Sequence, residues 1–170
     1  MTEASREVGV VVRRRSIENP WIDELWSPAM ILEEVPAAAP WTVLSSEADA
    51  TTSYAGATRL DLFSSDTANY RDNLADGAPR IWVALRRPDG GAELELTKVT
   101  ADPTEGEALF ESGCEVIGTV PMPPEIASWI AAFVDHFHVE RVFHKRKRDR
   151  ASGDRPRVPG GKSDEGAGRS

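Results

Sequence analysis

The net charge of the chain reverses at Phe143–His144, and this limits which part of it can build a core. Residues 1–143 carry 24 Asp and Glu against 11 Lys and Arg, a net −13, whereas residues 144–170 carry nine basic against four acidic residues, a net +5. The basic stretch begins with Lys145, Arg146, Lys147, Arg148 and Arg150 and continues as SGDRPRVPGGKSDEGAGRS, rich in Gly, Pro, Ser and charge. Such a composition cannot bury enough apolar surface to offset the entropy of ordering it. The division expected is a single globular domain over 1–143 and a basic, disordered tail over 144–170.

Within the body, apolar residues recur with strand period. The run VGVVVRRR (8–15) sets Val8, Val10 and Val12 in alternation before three arginines, as in a strand leaving a core. Extended segments are expected again at 29–35, 41–45 and 52–63, with Gly56 at a bulge or bend. Residues 80–87 and 92–99 alternate with period two around Pro88-Asp89-Gly90-Gly91, a turn-forming sequence, and predict a hairpin. A further strand is expected at 115–120.

Three helices are predicted. Residues 65–74 carry start signals and end near Gly77. Residues 103–112 follow Asp102 as N-cap, Pro103 at the first position and Glu105 as the third residue of a capping box, with Gly113 as the stop. Residues 124–138 place Ile126, Trp129, Ile130, Phe133 and Phe137 on one face at helical spacing. The fold class expected is therefore α+β: one curled antiparallel sheet, barrel-like and possibly PH-like in its order of elements, closed by a C-terminal amphipathic helix.

No catalytic constellation emerges. The sequence contains no Gly-x-Ser-x-Gly elbow, Walker loop or Gly-x-Gly-x-x-Gly. Asp102, Glu105, Glu107 and Glu111 could attract a cation, but a cap and an exposed helix face account for them. His136 and His138 lie about 200° apart on a helix and cannot share an ion. The single cysteine, Cys114, beside Glu115, suits a small buried side chain in a reducing compartment. No enzyme activity, cofactor or metal is expected, and a cytoplasmic location is. The longest aliphatic run is too short to span a bilayer, so no membrane partner is expected.

The five tryptophans, at 21, 26, 41, 82 and 129, belong by default to the core. Trp21 and Trp26 stand apart because a proline-flanked segment with Asp23 and Glu24 presents them, a setting suited to an interaction anchor. With Lys145, Arg146, Lys147, Arg148 and Arg150 as electrostatic contacts, they form the candidate partner-binding set. The basic run could also neutralise phosphates, but a body at −13 repels a polyanion, which makes nucleic acid the disfavoured partner.

The segments WSPAMIL (26–32), NYRDNL (69–74), RIWVALR (80–86), VTADPTEGEA (99–108), VPMPPEIASWIAAFV (120–134) and HVERVFHKRKRDR (138–150), in that order, resemble an uncharacterised proteobacterial domain family. Its genes tend to sit beside those of molybdenum-dependent formate dehydrogenase and its maturation factors. The resemblance carries no catalytic residue. It implies a setting in which this chain is a non-enzymatic accessory protein that binds a formate dehydrogenase subunit or maturation factor. The alternatives are a molybdenum-cofactor biosynthesis or carrier protein, and nucleic-acid binding through the tail.

Overall fold

In the computed structural model the described residues are 4–149 without Ile22, Gly90 and Ala92, with side chains as far as Phe137. The chain divides into two compact units, Met1–His138 and Val139–Ser170.

The first unit is built on β1 (Ala4–Ser16), which pairs antiparallel along both edges, with β2 (Glu24–Leu32) on one side and β4 (Ala50–Leu62) on the other. A short β3 (Thr42–Ser46) adds to β4, giving the order β2-β1-β4-β3. Val8, Val10 and Val12 point into the core and are buried, as their alternation predicts. Val11, on the opposite face, is also buried, and a methyl placed on its neighbour Gly9 would stand 3.1 Å from Tyr54 Cε2 and 3.2 Å from Leu32 Cβ. The valine run is continuous because both faces of the sheet are covered at that point, a pattern usual for central strands.

The bend expected at Gly56 is present. Gly56 has φ 127°, and the β1–β4 register slips there: Val10 faces Gly56 and Val11 faces Tyr54, so Ala55 is the extra residue. A second slip, between Val11 and Val12, makes Ala29 the extra residue of β2.

A second sheet, in the order β6-β5-β7, comprises β5 (Arg80–Arg86), β6 (Glu95–Thr100) and β7 (Val116–Pro121). The expected hairpin is therefore found, its turn closed by the Gly91 N–H donating to Pro88 O at 2.8 Å, although β6 starts at Glu95 instead of residue 92.

Two separate antiparallel sheets replace the single barrel-like, PH-like sheet that the sequence suggested, and they do not close into a barrel. The physical reason lies at the seam. Edge strand β2 presents Pro28 to β7, and a Cβ on Gly118 would lie 3.0 Å from Pro28 Cδ. Proline has no N–H to offer a ladder, so the strands meet there by packing.

The inward side chains of both sheets form one core with Tyr70 and with Ile126, Ile130, Phe133 and Val134 of α3 (Pro124–Asp149). The predicted apolar face of this helix is thus confirmed, with Trp129 and Phe137 half-buried at its margin. Each fully buried isoleucine of that face stabilises the fold by about 1.5–3 kcal/mol. The helix itself extends past the predicted end at 138, to Asp149.

A single 3-10 turn (Ser64–Asp66) leads into α1 (Thr67–Ala75), which matches the predicted helix and ends before Gly77 at φ 77°. Its buried Asn73 joins three elements. Nδ2 donates to Arg80 O at 2.8 Å and to Ala101 O at 2.9 Å, while Oδ1 accepts from the Arg80 N–H at 3.0 Å. The side chain thereby fixes α1 to the start of β5 and the end of β6. Replacing it with alanine leaves buried backbone groups unsatisfied, at about 1–3 kcal/mol each. Asn73→Ala is expected to lower unfolding stability by about 2–4 kcal/mol, read as a fall in the urea midpoint at unchanged slope.

Candidate functional site

The acidic segment 100–111 is committed to structure. It forms α2 (Pro103–Leu109), whose N-cap Asp102 is buried and accepts from the Thr104 N–H at 2.9 Å. The expected capping box is modified. Glu105 does not reach the cap directly; the Thr100 hydroxyl donates to Glu105 Oε2 at 3.1 Å and accepts from the Asp102 N–H at 3.1 Å. Lys98 Nζ adds an ion pair to Glu105 at 2.8 Å. Gly106 has to be glycine because α2 lies directly on Trp82: a Cβ would come within 2.5 Å of Trp82 Cδ1.

These carboxylates also act on Tyr70, whose hydroxyl accepts from the Phe63 N–H at 3.0 Å. Burial pushes the phenol up from 10.0 to about 12; the Phe63 hydrogen bond opposes the rise, and the charges of Asp66, Asp102 and Glu105 add to it. Tyr54 moves in the same direction, chiefly through burial and then through Glu7. Below pH 10 the phenol is neutral in both folded and unfolded chains. Above it the unfolded phenol ionises first, so stability falls by about 1.4 kcal/mol per pH unit until the folded phenol also ionises. Urea midpoints measured from pH 9 upward are expected to show this decline, and Tyr70→Phe to make it shallower.

Among the described residues, no three His, Cys, Asp or Glu side chains converge as a metal site requires. Cys114, expected in the core, is only half-buried. The default placement of the tryptophans in the core is corrected for Trp21, which is 89% exposed; Trp26, Trp41 and Trp129 are half-buried and packed against the core, and Trp82 is half-buried. The fully buried aromatic positions go to Tyr54 and Tyr70.

A cleft of about 280 Å³ opens where the core side of the first sheet runs out of apolar residues. Arg14 follows Val12 on the inward-facing register of β1 and lies opposite Trp26 of β2. Its guanidinium sits 5.7 Å from the Trp26 ring centroid and 3.5 Å from Glu24 Oε1. Trp41 meets Trp26 edge to face, with centroids 5.8 Å apart. Arg87, Glu93 and Leu94, from the connection between β5 and β6, form the far wall.

The backbone of Trp41 is left-handed, with φ 69°, a conformation rare for a bulky residue and costing on the order of 1–3 kcal/mol. It is held by the Trp41 N–H donating to Tyr54 O at 2.5 Å and by the Thr42 hydroxyl donating to Ala39 O at 2.7 Å. The strained backbone orients the indole toward the cleft. Of the residues expected to contact a partner, Trp26 lies in this cleft and Trp21 lies outside it, in the β1–β2 connection. The side chains of Lys145, Arg146, Lys147, Arg148 and Arg150 lie outside the described residues.

Fold and site together define a small α+β domain with an aromatic, charge-lined surface cleft. Residues 7–147 match the family described as "Protein of unknown function (DUF3305)", and the chain belongs to that family. No curated protein and no solved structure matches the chain. Among the described residues no helix is long and apolar enough to cross a membrane.

Proposed function

We propose that the protein is a non-enzymatic, cytoplasmic accessory factor that docks a formate dehydrogenase subunit or one of its maturation factors. The observation that carries the docking role is Trp21. Trp21 is 89% exposed, and its backbone N–H donates to Asn19 Oδ1 at 2.9 Å in the β1–β2 connection. An exposed tryptophan is the type of residue that dominates binding energy at protein interfaces. Leu25 and Met30, both exposed on the adjoining edge strand, extend the apolar surface. The partner's identity rests on the family resemblance. In this reading the basic run of Lys145, Arg146, Lys147, Arg148 and Arg150 supplies electrostatic attraction.

The test is retention of the enzyme on immobilised full-length chain, at low and at moderate salt. Subunits or maturation factors are expected to be retained, less strongly as charge is screened. Trp21→Ala is expected to weaken retention about tenfold or more while leaving the melting temperature unchanged, because the side chain is solvent-exposed. Retention of neither enzyme nor maturation factors overturns the reading; a pterin or nucleic acid recovered instead would favour the carrier or nucleic-acid function.

A further inference from the structure

We infer that the Trp26–Trp41 cleft is a receptor for a basic side chain, in first place an arginine, projecting from the partner protein. The inference rests on the docking reading but on a surface separate from Trp21. Four observations lead to it.

The charges of the cleft are unevenly spent. Arg14 is paired with Glu24 at 3.5 Å, and Arg87 Nε with Glu115 Oε2, outside the cleft, also at 3.5 Å. Glu93 has no hydrogen bond or ion pair among the described residues. The lining holds two arginines and two glutamates, and of these four charged groups Glu93 alone has no ion pair among the described residues. A cation entering beside Glu93 meets attraction, whereas an anion meets two arginines already engaged.

The aromatic surface has the matching preference. Tryptophan is the strongest of the aromatic rings for cations, and Arg14 Cζ lies over Trp26 at 5.7 Å from the ring centroid, so this ring already engages a guanidinium in the folded protein. The cleft, at about 280 Å³, lies at the low end of the roughly 300–1,000 Å³ of ligand sites and has room for one long side chain. Finally, the acidic body, with −13 over residues 1–143, attracts a basic partner surface from a distance.

The experiment follows the indole N–H resonances of Trp26 and Trp41 in the full chain. It titrates three blocked tripeptides, acetyl-Gly-Arg-Gly-amide and its citrulline and glutamate counterparts. The arginine peptide is expected to shift both resonances saturably, and the citrulline peptide, equal in shape but neutral, to bind at least fivefold more weakly. Glu93→Gln, a change on the surface, is expected to weaken the arginine peptide about three- to tenfold while leaving the citrulline peptide unchanged. Equal responses to arginine and citrulline, a stronger response to glutamate, or shifts of these resonances that track protein concentration through contact with a second copy would each overturn the inference. Loss of enzyme retention with the arginine response intact would remove the named partner and leave the chemistry of the cleft standing.

Discussion

The double-edged pairing of β1 is the constraint on which the first unit depends. A strand hydrogen-bonded along both edges and covered on both faces has no solvent to satisfy its backbone, so every residue from Gly9 to Val12 is committed to partners. The two register slips beside Val11 follow from that commitment. They let β2 and β4 bend around the central strand, and the bend carries Pro28 to the seam where the two sheets meet without a shared ladder.

The same strand generates the cleft. Past Val12 the inward register continues to Arg14, and no further apolar layer covers it. The ring of Trp26 and the guanidinium of Arg14 therefore finish the core as an amphipathic rim, with apolar area packed inward and charge directed outward. The opposite end is finished differently, with polar groups used up internally. Asn73, Thr100 and Asp102 bind backbone groups and leave little donor or acceptor capacity for a ligand. The two ends thus differ, one using its polar groups to hold elements together and the other leaving aromatic and charged groups at the surface.

Most of the element pattern was legible in the sequence because it depends on local signals. The Pro88–Gly91 turn, the Asp102–Pro103 cap, the Gly56 bulge and the apolar face from Ile126 to Phe137 each follow from residue chemistry within a few positions. The separation into two sheets did not, since it depends on Pro28 meeting Gly118, ninety positions away. The site was less legible still. Trp26 could be singled out by its setting, but Arg14, Trp41 and Glu93 become neighbours only through strand register and a left-handed backbone that no local signal announces. The burial of Val11 was hidden as well.

The left-handed backbone at Trp41 has one more consequence. Glycine or asparagine would adopt that conformation readily, so substitutions chosen for thermal robustness alone would drift toward them and strip the indole from the cleft. If the cleft receives a side chain as proposed above, robustness and recognition favour different residues at this position.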